Sequence, residues 1–84
     1  MQQNEKDNLI KLGKRIKLLR LQSGLTLNKF VFKKGGLTTA TWSRLENGLY
    51  NVKFSTLIKV SAMLNIKLEE LLDNLDLDYS VLED

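Results

Sequence analysis

The stretch T-T-A-T-W-S-R-L-E-N-G, residues 38–48, decides how the chain folds. Thr38 is a favourable N-cap, because its hydroxyl can accept a hydrogen bond from a backbone N–H of the first helical turn. Trp42 and Leu45 are three residues apart and share one helix face, which we expect to be buried. Gly48 suits the left-handed conformation that often follows a helix. The stretch therefore predicts a short helix with one apolar and one polar side.

Glycines and N-cap residues divide the chain on both sides of this stretch into further blocks of helix length. In the first block, apolar residues recur at spacings of three and four, as on one face of a helix. The fourth block is apolar over most of its circumference, which predicts the central helix of the core. The five blocks cover residues 8–23, 26–36, 39–46, 54–65 and 66–72. The sequence therefore predicts an all-α fold of five helices.

The last residues follow another pattern. From Leu75 to Val81, apolar residues alternate with Asp or Ser, which is the period of a half-buried strand. A single strand cannot satisfy its own backbone, so residues 75–82 either pair with another element, are disordered or are helical after all. We expect an N-terminal extension, a helical domain and an acidic tail that is a candidate dimerisation segment. These three parts cover residues 1–8, 9–72 and 73–84.

The composition argues against several kinds of chemistry. The chain has no cysteine, so disulfides and thiolate zinc sites are excluded, and it has no histidine, the commonest general base. No glycine-rich phosphate loop follows a strand pattern. We therefore expect no catalytic residue, no metal site and no cofactor, and a protein that is not an enzyme. No apolar run approaches the roughly 18 residues of a transmembrane helix, and the N-terminus lacks a secretory pattern. A soluble cytoplasmic protein without a membrane partner is expected.

The charge is distributed unevenly. All 13 Lys and Arg residues and five of the ten acids lie in residues 1–72, which gives that part a net charge of +8. Residues 73–84 contain the other five acids and no base, a net charge of −5. A basic body suggests a polyanionic partner. On charge alone, a solvated surface explains the pattern equally well.

A tight glycine turn between the second and third of five short helices is the layout of a helix-turn-helix domain. The outer face of the third helix begins with short side chains, which would let its backbone approach a DNA groove closely. Arg44, one turn further on, could reach a guanine edge or a phosphate. Trp42 could stack on a base, but its inward position favours the core.

The residues also resemble a known family, the phage-repressor/Cro-type (XRE-type) helix-turn-helix domains. The resemblance extends from Leu12 to Leu72 and is most specific in the run S-R-L-E-N-G. The similar segments are L-G-K-R-I-K-L-L-R at residues 12–20, G-L-T at 24–26, L-T-T-A-T-W-S-R-L-E-N-G at 37–48, T-L-I-K-V-S-A-M-L-N-I at 56–66 and L-E-E-L-L at 68–72. The resemblance implies a five-helix lambda-repressor-like fold that binds double-stranded DNA, and a role in transcription regulation.

The resemblance also implies roles for individual residues. It pairs Arg20 of the first helix with Glu46 at the end of the third in a structural salt bridge. The positions that read bases correspond to Thr39, Ala40, Ser43 and Arg44. The expected phosphate contacts are Asn28, Thr38, Thr41, Asn47 and Lys53. Helix 2 departs from the family, because Leu27 stands where a phosphate-binding Gln is usual. The turn also looks one residue longer, with Gly35–Gly36 absorbing the insertion.

Three hypotheses remain open from the sequence. The first is a repressor or autoregulator that reads a pseudo-palindromic operator as a homodimer, because one small module buries little surface on DNA. Its dimer seam would be the outer face around helix 5 or residues 75–82. The second is an antitoxin or adaptor that binds a toxin or other protein partner, for which Phe32 on the outer side of helix 2 is weak support. The third is an autoinhibitory acidic tail that competes with DNA.

Overall fold

The computed structural model describes residues 3–80, and within that range it is all-helical, with five helices and no strand. The helices are α1 (Gln3–Leu21), α2 (Leu27–Lys34), α3 (Thr39–Glu46), α4 (Phe54–Leu64) and α5 (Leu68–Leu71). The predicted all-α, lambda-repressor-like fold is confirmed. None of the described helices is long and apolar enough to cross a membrane.

The helix ends follow the capping residues. The hydroxyl of Thr26 accepts a hydrogen bond from the backbone N–H of Lys29 at 3.3 Å, which caps α2. The hydroxyl of Thr38 accepts from Thr41 N at 3.1 Å, which caps α3. Asn65 ends α4 in the left-handed conformation with φ 58°. Local chemistry therefore sets these boundaries, as the sequence predicts.

The core is centred on Trp42, which is fully buried between α1 and α2. Its ring lies 4.9 Å from the ring of Phe30, centroid to centroid, in a tilted arrangement. Ile16 of α1 and Val60 of α4 are also fully buried around it. Burying side chains of this size contributes about 1.5–3 kcal/mol each. The third helix is therefore anchored through its apolar side, while its other side remains available.

Gly13 allows α1 and α3 to approach each other closely. A Cβ atom at this position would lie 2.6 Å from the backbone oxygen of Glu46, and it would also meet the backbone oxygen of Leu45. Gly13 is therefore favourable here, although glycine usually costs about 1 kcal/mol inside a helix.

Two sequence predictions about the helices need correction. Helix α1 begins at Gln3 and not near residue 8, so residues 3–8 form its first turns. The fourth helix, predicted as the central helix of the core, is buried on one face only, since Phe54 is 69% exposed and Ile58 is 45% exposed. A chain of this size has too few elements to cover both faces of α4, so only one face is buried.

In the described part of the acidic tail, residues 75–79 have no regular secondary structure, and the tail lies along α1. Asn8 makes two hydrogen bonds to the backbone of Asp78. Its carboxamide donates to the carbonyl of Asp78 at 2.9 Å and accepts from the N–H of Asp78 at 2.7 Å. Asn4 donates to the Ser80 hydroxyl at 3.2 Å, and Lys11 donates to the carbonyl of Asp76. The strand alternative for residues 75–82 is therefore wrong over residues 75–80, and residues 81–82 lie outside the described part. Helix side chains satisfy this backbone instead of a neighbouring strand.

Candidate nucleic-acid interface

The outward side of α3 carries three of the four predicted base-reading residues in exposed positions. Thr39, Ala40 and Arg44 are exposed, and Ser43 is half-buried. On the opposite side, Trp42, Leu45 and Glu46 are buried. The exposed side chains are short at the beginning of the helix and long only at Arg44, so a groove could approach the backbone of the first turn.

A buried ion pair fixes this helix against α1. Arg20 donates from Nε to Oε2 of Glu46 at 2.7 Å and from Nη2 to Oε1 at 2.9 Å, which is a bidentate geometry. Both side chains are nearly inaccessible to solvent, with relative exposures of 8% and 4%. Arg20 also donates from Nη1 to the carbonyl of Leu25 at 3.2 Å, which connects the pair to the loop before α2.

The hydrogen bond to Glu46 raises the pKa of the Arg20 guanidinium above its ordinary value. Burial opposes this shift, and the charge of Glu46 adds to it. The guanidinium therefore stays charged at every pH at which the protein is folded.

Trp42 has a polar role that the sequence analysis did not identify. Its indole N–H donates to Oε2 of Glu46 at 2.6 Å, in addition to the packing of its ring in the core. Glu46 therefore accepts hydrogen bonds from both the first and the third helix. The spacing of four residues between Trp42 and Glu46 is the one signal in the sequence that could have suggested this contact.

Among the described residues, no buried side-chain nitrogen or oxygen lacks a hydrogen-bond partner. Such fully satisfied networks hold their members in one arrangement, since any other arrangement leaves a buried polar group unpaired. The Arg20–Glu46–Trp42 network, as we call these three residues, therefore fixes the orientation of α3 relative to α1.

The predicted phosphate contacts lie on several elements around α3. Asn28 is exposed in the first turn of α2, and Lys53 is exposed at the N-cap of α4. Asn47 follows α3 and is exposed, with its side chain donating to the carbonyl of Ser43 at 2.7 Å. These three residues belong to separate elements, as expected for groups that contact a curved backbone at separate points.

Thr38 and Thr41 form a single hydrogen-bonded unit at the beginning of α3. The Thr38 hydroxyl donates to Oγ1 of Thr41 at 3.0 Å while it accepts from the N–H of Thr41. Thr38 is exposed and Thr41 is half-buried, so both hydroxyls lie at the beginning of this helix near its surface.

The described tail residues hydrogen-bond to α1, while the outward side of α3 stays exposed. Leu27, where the family usually has Gln, is half-buried and packs against the core. In the first turn of α2, Asn28 is therefore the exposed side chain and Leu27 is partly covered. Within residues 3–80, no group of His, Cys, Asp or Glu is arranged to hold a metal ion.

Comparison with known proteins agrees with this arrangement. The sequence profile of the helix-turn-helix family matches residues 16–71. The fold is also similar to a solved structure, that of the restriction-modification controller protein C.AhdI from Aeromonas hydrophila. The TM-score is 0.69 and the sequence identity is 31%. The match covers 77% of this chain and 97% of the C.AhdI chain. A search of curated proteins gives no match. The chain therefore belongs to the XRE-type helix-turn-helix family and is a sequence-specific DNA-binding transcriptional regulator.

Proposed function

We propose that this regulator inserts α3 into the major groove of duplex DNA and reads an operator there as a repressor or autoregulator. The observation that carries the proposal is the exposed polar side of α3 above a fully buried Trp42. A major groove about 12 Å wide accepts one helix, and the residues that would meet base edges are on its outer side.

Arg44 is the residue most able to specify a base. Its exposed guanidinium can donate to both N7 and O6 of a guanine, which discriminates against other bases by about 1–3 kcal/mol. Thr39, Ala40 and Ser43 are short, so they would contact bases only where the helix backbone lies deep in the groove. Ala40 offers a methyl group, which suits contact with the methyl group of a thymine.

Asn28, Thr38, Thr41, Asn47 and Lys53 are proposed to hold the DNA backbone and so set the register of α3. Asn28 lies in the first turn of α2, where the partial positive charge of a helix N-terminus favours a phosphate. Lys53 adds a full charge at the beginning of α4. These contacts position the helix without reading sequence themselves.

A homodimer is the proposed binding form, since one module of this size contacts few base pairs. Two α3 helices about 34–36 Å apart would read the two halves of a pseudo-palindrome. The surface around α5 is the proposed seam, where Leu72 is 39% exposed. Sedimentation at micromolar concentrations tests this: we expect a dimer that Leu72→Asp dissociates. A wild-type chain that stays monomeric contradicts it.

The similarity to a restriction-modification controller protein supports a role for this chain in the control of genes, and an autoregulator would act on its own gene. Such a role involves binding alone and requires no catalytic group. DNA from upstream of its own gene is therefore the first natural sequence to test for an operator.

Selection of binding sites from random duplex DNA tests the proposed function directly. We expect one pseudo-palindromic sequence, and we expect Arg44→Ala to lose preference at one base pair per half-site with an affinity loss of about 10-fold or more. Lys59→Ala, which removes an exposed charge from α4, is the control and should keep the preference. Recovery of random sequences by the wild-type chain would exclude base reading. If Arg44→Ala loses the same affinity for every sequence, Arg44 contacts a phosphate and not a base.

Phe32 supports a second candidate function, that of an antitoxin or adaptor. Its side chain is 92% exposed on α2, an unusual position for a large apolar ring. Co-expression with the product of a neighbouring gene tests this candidate. A joint complex that Phe32→Ser dissociates would support it, and separate elution of the two chains would exclude it for that product.

A further inference from the structure

A groove of about 270 Å³ lies where the N-terminal half of α1 crosses the turn that follows α3. It is lined by Lys6 and Ile10 of α1 and by Asn47, Gly48 and Leu49 of the turn. Asn47 is a phosphate contact in the proposed function, so the inference below depends on that function. Lys6 lies outside the segment that matches the helix-turn-helix family.

The two sides of this groove are held at a fixed distance. Gly48 has φ 70°, and a Cβ atom at this position would come within 2.8 Å of the Cα of Ile10. One helical turn further along α1, Gly13 lies against the last carbonyls of α3 in the same way. Lys6 therefore has a defined position relative to Asn47, because both glycines seat α1 directly on the end of α3.

The N-terminal turns that carry Lys6 are themselves held in place. Asn4 and Asn8, on either side of Lys6 in the sequence, hydrogen-bond to Ser80 and Asp78 of the tail. Consecutive residues of a helix point about 100° apart, so Glu5 and Asp7 point away from the side of Lys6. The carboxylate of Asp7 also accepts a hydrogen bond from Gln3 at 3.0 Å.

Electrostatics favours a cation beside Asn47. This residue stands at the C-terminal end of α3, where the helix dipole is negative and repels a phosphate. The charge of Glu46 is neutralised by Arg20, but the carbonyl ends of the helix remain. An exposed lysine across the groove supplies a positive charge, and Lys6 and Asn47 line the same groove.

We propose that Lys6 is a further contact to the DNA backbone, acting on the phosphate that Asn47 approaches. The occupant of the groove is a sugar-phosphate segment of the operator, with its phosphate between Lys6 and Asn47 and its sugar against Ile10 and Leu49. This contact extends the footprint beyond α3, so the first turns of α1 belong to the DNA-binding surface.

The salt dependence of operator binding tests this proposal. Each phosphate contact contributes about 0.9 to the slope of log K against log salt concentration. We expect Lys6→Ala to lower that slope by about one, equally on specific and random duplexes, and Lys6→Arg to restore it. Lys59→Ala is the matched control, because it removes the same charge from an exposed site on another helix. Its slope should equal that of the wild type.

Three results would overturn the proposal. A wild-type slope in Lys6→Ala would show that the lysine contacts no phosphate. An equal decrease in Lys6→Ala and Lys59→Ala would show a general effect of net charge. A wild-type chain that binds DNA without sequence preference would refute the proposed function, and this inference with it. Thermal unfolding of each variant checks that the loss of an exposed lysine leaves the fold intact.

Discussion

Replacing Glu46 with alanine is the sharpest test of how this protein holds its recognition helix. The change removes the acceptor of three hydrogen bonds, two from Arg20 and one from the Trp42 indole. It leaves the guanidinium of Arg20 buried, with the carbonyl of Leu25 as its remaining acceptor. Because the side chains of the pair are only 8% and 4% exposed, bulk water solvates the remaining guanidinium poorly.

The magnitude follows from this burial. Removing one member of a buried ion pair costs about 3–5 kcal/mol. An unpaired indole N–H adds about 1–3 kcal/mol, although the two costs overlap because the groups share one carboxylate. An 84-residue domain has a total stability of about 4–13 kcal/mol. Glu46→Ala should therefore lose about a quarter of the stability or more, and at the upper end of this range it unfolds the protein outright.

Urea unfolding followed by tryptophan fluorescence measures this cost, since Trp42 is the only tryptophan and reports on the network itself. We expect the midpoint to fall by about 2 M or more. Arg44→Ala on the same helix is the control, and it should stay within about 0.5 kcal/mol of the wild type because its side chain is exposed. The double variant Arg20→Met with Glu46→Leu should recover most of the loss, because it removes both charges. If Glu46→Ala costs less than about 1 kcal/mol, the network does not hold the helix and the reasoning is wrong.

Three further predictions concern α1 and the tail that it holds. Gly13→Ala should destabilise the protein by about 1–3 kcal/mol in the same urea assay, because the new methyl group meets backbone oxygens that cannot move aside. Lys14→Ala, at an exposed neighbouring position, is the control and should have little effect. Asn8→Ala should release the tail, and hydrogen exchange at the Asp78 amide should then become fast; unchanged protection would show that the tail is held elsewhere. Hydrogen bonds from the Ser80 hydroxyl and backbone N–H lower the pKa of Asp78 below its ordinary value of 3.8. The Asp78–Ser80 turn should therefore be intact above pH 3.8 and should open as the pH falls through the lowered pKa. NMR shifts of Ser80 that stay constant through this acid range would contradict that assignment.

Local patterns in the sequence were sufficient for α3. The N-cap threonine, the pair Trp42 and Leu45, and the following Gly48 predicted a helix over residues 39–46, which are the bounds observed. These signals act within one or two helical turns, so they can be read directly from neighbouring residues. The roles of the exposed side chains on DNA remain predictions, because they depend on a partner that the chain itself does not define.

Contacts between distant parts of the chain could not be predicted in this way. Asn4 and Asn8 lie before Leu9, the first apolar residue of the recurrence that predicts α1, so the pattern places the start of this helix near residue 8. Their side chains bond to residues 70 or more positions away in the tail, so the local pattern gave no sign of them. The tail alternates like a strand, yet helix side chains satisfy its backbone. The exposed apolar residues of α4 show the same limit, since hydrophobicity alone does not tell which face another element covers.

The short length of α3 explains why the protein uses a buried ion pair at this position. A helix of eight residues is too short to be stable in isolation, so its conformation and its orientation must come from tertiary contacts. Apolar packing of Trp42 and Leu45 fixes its depth but would tolerate rotation about the helix axis. The bidentate bond from Arg20 to Glu46 restricts that rotation, since a small turn breaks two hydrogen bonds in a buried site. Arg44 is two residues before Glu46 on this helix, so the constraint that holds Glu46 inward also determines the direction in which Arg44 can meet a base.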